Sequence, residues 1–413
     1  MNNIELLAPV GSFESLAAAI QGGADAVYFG VGNLNMRSRS SVNFTINDLH
    51  EITAICRKNN IKSYLTLNTI IYDTEIQEVT AILEAVKQSG IDAVIASDFC
   101  VIERAHRLGI PVHISTQCNI TNIDAVRFYA QFSDVMVTAR ELHLDHVAGI
   151  VRQIEREQIK GPSGELVRIE VFVHGALCMA VSGKCYLSLH ENNHSANRGA
   201  CYQLCRRAYI VKDKESDTEL EIDNEYIMSP KDLCTIGFLD KVLKSGATTL
   251  KIEGRGRSAD YVKTVTACYK EAINSIADGS YSEAKIKAWN DRLKTVYNRG
   301  FWDGYYLGRT LGEWNNVYGS RAVKEKVYIG KITNYYSKIK VADIKVETQP
   351  LSVGDEIVII GNTTGVYEDV VKEIRMDDQA VSAAGKGQVC SIQLHSPVHR
   401  GDKLYILNEK VTE

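Results

Sequence analysis

Eight short runs of β-forming, mostly apolar residues recur over the first 253 residues of this chain, and amphipathic stretches separate most of them. The runs are Glu5–Val10, Ala26–Val31, Lys62–Asn68, Ala93–Ser97, Val112–Thr116, Asp134–Thr138, Arg168–His174 and Thr248–Glu253. Between them lie Ser12–Gly22, Ile46–Asn59, Thr74–Ser89 and Cys100–Leu108, with helical periodicity. Strands alternating with helices imply parallel pairing through right-handed crossovers. Parallel strands are covered on both faces, so they should read as continuous apolar runs, as AVYFGV and DVMVTA do. A count of eight predicts a closed TIM-like (β/α)8 barrel. No glycine-rich dinucleotide fingerprint follows the first strand, which argues against an open doubly wound sheet.

The gap between the seventh and eighth runs is too long for a simple crossover. The expected organisation is a catalytic barrel over residues 1–322, with a cysteine-rich insertion at 175–234 and a helical extension at 258–310. Asn298–Gly308, rich in aromatics and glycines, reads as a packed turn. From Val327 onward short strands alternate with turn residues, which predicts a small all-β barrel over residues 323–413. The chain is 45% hydrophobic and 24% charged, as soluble globular proteins are. No apolar run reaches the roughly 18 residues of a membrane span. The N-terminal MNNIELLAPVGS shows no secretory signal, so the expected location is the cytoplasm, where ten cysteines are thiols or ligands rather than bridges.

Five of those cysteines, Cys178, Cys185, Cys201, Cys205 and Cys234, fall in one segment close behind the seventh strand. In a barrel that is the catalytic face. No C-x-x-C pair is present, so zinc-finger templates do not apply. Dispersed thiolates can still meet, and four could hold an iron–sulfur cluster or a structural zinc; inert buried thiols are the alternative. Cys56, Cys100, Cys118, Cys268 and Cys390 read as structural. His190-Glu191-x-x-His194 matches the H-E-x-x-H pattern formally. Its setting has a loop composition with no apolar stripe, which speaks against a zinc protease. Nor is there a G-x-S-x-G elbow or a P-loop.

Polar residues cluster just past the predicted strand ends, at Arg37, Arg39, Asn68, Gln117, Arg140, Glu141, His174, Glu253 and Arg255. Barrel geometry would gather them at one mouth, where several arginines suit a small anionic ligand. The net charge of −4 means that RNA binding would need a local basic patch. Arg321–Lys345 is one, with Tyr328, Tyr335 and Tyr336 interleaved; a lysine-protected strand edge is the plainer reading.

LLAPVGSFESLAAAIQGGADAVYFG, NMRSRSSVNFTINDL, HISTQCNITN, FVHGALCMAVSGKCYLS, ANRGACYQLCRR and TLKIEGRGRSADYV together resemble peptidase family U32. The likeness runs nearly end to end, and Glu170–Ser188 is similar to the family signature. Some members carry a collagenase-type protease assignment. Others act in RNA or ubiquinone hydroxylation and hold a four-cysteine iron–sulfur cluster. The chain looks most like the branch that makes 5-hydroxyuridine at the tRNA wobble position, in which prephenate is implicated. The resemblance implies a [4Fe–4S] cluster on Cys178, Cys185, Cys201 and Cys234, with Cys205 as the replacement for Cys201. It also implies tRNA as partner and prephenate as co-substrate. Lys184, where arginine is usual, and Arg207-Ala208, where an aromatic often follows, depart from the common pattern without removing a thiolate. A U32-type protease and a non-catalytic iron–sulfur RNA-binding scaffold stand as alternatives.

Overall fold

In a computed structural model, residues 4–38, 43–210, 226–308, 312–317 and 319–410 are described. Seven strands run in sequence order: β1 (Glu5–Pro9), β2 (Ala26–Gly30), β3 (Lys62–Leu67), β4 (Ala93–Ala96), β5 (Val112–Ile114), β6 (Ser133–Val137) and β7 (Arg168–Gly175). Each pairs in parallel with the next. After the short β8 (Asp232–Cys234), β9 (Thr249–Ile252) pairs in parallel with both β7 and β1, which closes the ring. The expected barrel is therefore present, and its eighth strand is the Thr248–Glu253 run. β1, β2, β4 and β9 are buried along their whole length, as strands covered on both faces must be.

Alternation along each strand sorts the side chains. Leu6, Ala8, Val27, Phe29, Leu65 and Val94 face outward into the large core beneath the helices. Leu7, Tyr28, Tyr64, Ala93 and Ile95 pack inside the ring. That interior is also unusually charged. Glu5 accepts from Tyr64 Oη at 2.9 Å and from Lys62 at 3.0 Å, and Glu170 pairs with Lys251 at 2.7 Å.

β8 runs antiparallel beside β7, with Cys234 opposite His174. A further strand, β10 (Phe301–Trp302), pairs with β8. The Asn298–Gly308 segment is thus more than a packed turn. Its aromatic pair extends the sheet, and Tyr306 Oη donates to Phe172 O at 2.7 Å to pin the remainder onto β7. The helix Ala259–Ala277 fastens β8 from outside: Tyr269 Oη donates to Val173 O at 2.7 Å and accepts from Thr235 N at 3.0 Å.

The C-terminal unit is an antiparallel sheet of eight strands plus a two-stranded one. Ile344, Ile357 and Ile374, from widely separated strands, share one core, so the sheet folds over on itself; its end strands share no ladder. The unit docks on the outer helices of the barrel. Gln21 makes two backbone hydrogen bonds with Thr364 O and Val366 N, both at 2.9 Å, and Lys263 pairs with Glu368 at 2.7 Å. Val358, Ile360 and Val366 join the barrel's own core.

Candidate active site at the barrel mouth

β7 leaves the barrel through Gly175, whose φ of +103° is one that only glycine adopts easily. A Cβ there would also lie 2.5 Å from Glu253 O. The chain then folds back over the mouth. Gly183, at φ +75°, lies against Gln117, which follows β5. Two arginines fix this cysteine-bearing segment. Arg198 pairs with Glu75 and donates to Ile70 O at 2.9 Å. Arg206 donates to Leu177 O and Pro230 O, both at 2.6 Å, and to Ser229 Oγ at 3.0 Å. A guanidinium with several donors suits this stapling role.

The fold-back creates a cavity of about 200 Å³ walled by Cys178, Cys185, Cys201 and Cys205, with Arg37, Glu253, Arg257 and Arg299. Cys234 stands outside it. Its thiol is buried on β8, 3.9 Å from Tyr269 Oη and 4.0 Å from Asn290 Oδ1, and burial pushes it up to about 11. Of the cysteines named for a cluster, Cys201 and its alternative Cys205 both line the cavity with Cys178 and Cys185, and Cys234 does not. Burial raises the Cys205 thiol, and Arg206 opposes that shift. Among the described residues no three His, Cys, Asp or Glu side chains are arranged to hold a single metal ion. Four thiols around one cavity fit a larger sulfur-bridged group in donor type and number.

A second cavity of about 90 Å³ continues from the first into the barrel and shares Met36, Arg37, Cys178, Gly183 and Glu253 with it. Six of the expected mouth residues line it: Arg37, Asn68, Gln117, Arg140, Glu253 and Arg255. Arg37 pairs with Glu253 at 2.8 Å. Burial alone would raise the Glu253 carboxyl, but Arg37, Arg257 and Arg140 outweigh it and hold the group down to about 2. Arg140 stacks on Phe172 at 3.7 Å and donates to Ala176 O at 2.8 Å, while its buried Nε has no hydrogen-bond partner. Arg255 donates to Thr66 Oγ1 at 2.5 Å and Asn35 Oδ1 at 3.1 Å. Desolvation lowers its guanidinium to about 10.

The sequence profile of peptidase family U32 matches residues 11–316. The chain belongs to this family. Among its U32 relatives, a Porphyromonas gingivalis protein named collagenase is 54% identical, over 99% of each chain. A Bacillus subtilis protein named tRNA hydroxylation protein P1 is 30% identical, over 91% of this chain and 87% of that one. An Escherichia coli enzyme named as a 23S rRNA 5-hydroxycytidine synthase is also 30% identical, over 87% of this chain and 53% of that one.

Two expected site residues of the U32 chain fall elsewhere. Glu141 is exposed and lines neither cavity. His174 is buried under β8 with Nδ1 3.4 Å from Tyr269 Oη, and desolvation lowers it to about 3. It faced the wrong way because the last residues of β7 pair with β8 instead of opening into the mouth. Arg39 lies outside the described residues. The His190–His194 segment is not the loop its composition suggests, since a helix spans Leu187–Asn192. It ends at Asn193, φ +53°, before His194, so the two imidazoles share no helical face. Both His190 and Glu191 are largely exposed. Nor is the basic strip a strand edge. Its strand, β11 (Lys324–Tyr336), is paired on both sides. Lys324, Lys326 and Lys331 are tied to Glu356, Asp260 and Glu347. Lys338 and Lys340, in the turn that follows, are exposed. Sequence reading missed Tyr28, Ser115 and Lys251 as wall residues. Strand alternation placing Lys251 in phase with Glu253 was the available signal.

Proposed function

We propose that this chain hydroxylates RNA, converting the wobble uridine of tRNA to 5-hydroxyuridine, with an iron–sulfur cluster at the barrel mouth. The observation that carries the reading is the convergence of Cys178, Cys185, Cys201 and Cys205 on a cavity continuous with an arginine-lined pocket. The names of the Bacillus subtilis and Escherichia coli relatives support RNA hydroxylation as the activity. When bound, a [4Fe–4S] cluster held by these four thiolates would supply one-electron chemistry. The chain's own residues do the rest. Arg140 and Arg255 bind carboxylate groups of a small anion, for which prephenate is the candidate co-substrate. Glu253 stays ionised and holds Arg37 between the two cavities. The Lys338–Lys340 turn offers RNA phosphates a positively charged contact. The place of action is the cytoplasm; no helix among the described residues is long and apolar enough to cross a membrane.

Proteolysis has less support. The H-E-x-x-H motif sits on an exposed, interrupted helix, and among the described residues no metal-holding group surrounds it. Mass spectrometry of tRNA nucleosides tests the reading. A strain lacking the gene should lose 5-hydroxyuridine derivatives, and the intact gene should restore them. Unchanged nucleosides, with no paralogue present, would refute it. Cleavage of gelatin by the purified protein, abolished by Glu191→Gln, would return the protease.

A further inference from the structure

Lys251 lies in the barrel interior on β9. Its side chain is 6% exposed, yet it lines the mouth pocket. Its Nζ is 2.7 Å from Glu170 Oε1, 4.6 Å from the centre of the Tyr28 ring and 5.6 Å from that of Phe172. The same two rings carry two guanidinia: Arg255 at 5.9 Å over Tyr28, and Arg140 at 3.7 Å over Phe172. Both arginines follow the ends of their strands, so they stand nearer the mouth than the amine does. A primary amine thus forms the floor of a pocket whose upper wall holds two cations.

The charge balance asks for an anion there. Arg37, Arg140, Arg255 and Lys251 face two carboxylates, Glu170 and Glu253, and these are taken by Lys251 and Arg37. Among the described residues neither Arg140 nor Arg255 forms an ion pair, and Arg140 Nε and Glu170 Oε2 are buried without hydrogen-bond partners. A buried ion pair is a poor stabiliser compared with apolar packing, so a lysine kept against a cavity invites a chemical reason. Desolvation lowers the Lys251 amine, although Glu170 opposes that. An amine that can release its proton to an adjacent carboxylate is a nucleophile for carbonyl carbon.

We propose that Lys251 forms an imine with a 2-oxo acid held in the barrel mouth, its carboxylate between Arg140 and Arg255. This rests on reading the mouth as the small-anion pocket of the proposed function. Lys251 passes one proton to Glu170. Its nitrogen lone pair attacks the ketone carbon, and the carbonyl oxygen leaves as water after taking up protons, one of them returned by Glu170. The net change is ammonium plus ketone to iminium plus water, with no oxidation or reduction. The iminium keeps its positive charge beside Glu170, so the buried pair stays balanced.

Reductive trapping tests this without any RNA readout. The full-length protein is incubated with pyruvate or 2-oxoglutarate and cyanoborohydride, and its peptides are mapped by mass spectrometry. Lys251 should gain the mass of the acid less one oxygen, well above the labelling of the exposed Lys338. Succinate, an acid without the ketone, should suppress it. Lys251→Arg, which keeps the charge and the Glu170 partner, should lose the adduct and fail to restore hydroxylated nucleosides. Labelling of Lys251 no greater than that of Lys338, or full restoration by Lys251→Arg, would overturn the proposal. Trapping at Lys251 in a protein whose deletion leaves RNA unchanged would keep the imine and discard the hydroxylase. Lost nucleosides without trapping would do the reverse.

Discussion

Cys234 sits opposite His174 in a two-residue ladder, with its thiol against Tyr269 and Asn290. Sequence spacing carries no information on which face of that ladder a thiol takes, and for this reason the cysteines that line the mouth cavity were only partly legible. Cys178 and Cys185 could be placed at the mouth because they follow the strand ending at Gly175 directly. Which of Cys201, Cys205 and Cys234 lines the cavity depends on contacts between distant segments, such as the hydrogen bonds of Arg206, next to Cys205, to Leu177 and Pro230. Anaerobically purified protein should carry about four irons per chain, the content of one [4Fe–4S] centre. Cys205→Ala should strip most of that iron, and Cys234→Ala should leave it in place. The opposite pattern would restore the ligand set that the family resemblance implies.

At the scale of elements, the barrel strands were readable because parallel strands buried on both faces need continuous apolar runs. β8 and β10 were not, since three- and two-residue strands carry no period. β8 is held against β7 by Tyr269, on a distant helix, which bonds the backbone of both β7 and the residue after β8, and β10 adds to β8 in turn. Tyr269→Phe would remove the hydroxyl's bonds to Val173 O and Thr235 N and leave those two groups only their direct hydrogen bond of 3.1 Å. It should cost about 0.5–1.5 kcal/mol in chemical denaturation, the net worth of a lost hydrogen bond. No change in midpoint would mean that the β7–β8 pair is held without this hydroxyl. The β11 turn makes a separate prediction. Replacing both Lys338 and Lys340 with glutamine should weaken tRNA binding and flatten its log–log salt dependence by about one unit per lost phosphate contact. An unchanged slope would move the RNA contact elsewhere.

Over the whole molecule, burial of charge-capable groups within and against the barrel couples stability to pH. His174 is lowered to about 3 and His113 lies well below 6.5, in both cases chiefly by desolvation. In the unfolded chain both take up a proton near 6.5. The unfolded state therefore binds more protons as pH falls below that value, and stability is lost on acidification. The loss is up to about 1.4 kcal/mol per histidine for each pH unit, continuing for His174 until about pH 3. His113→Asn should make the unfolding free energy fall less steeply between pH 6.5 and 5. An equal slope in both proteins would show that carboxylates, not histidines, set the acid limit.

One measurement tests RNA hydroxylation and the four-cysteine cavity together. Nucleosides are quantified by mass spectrometry in a strain lacking the gene, complemented in parallel with the intact, Cys205→Ala and Cys234→Ala genes at matched protein levels. 5-Hydroxyuridine derivatives should return with the intact and Cys234→Ala genes and stay absent with Cys205→Ala, given the proposed function. Full restoration by Cys205→Ala would contradict it.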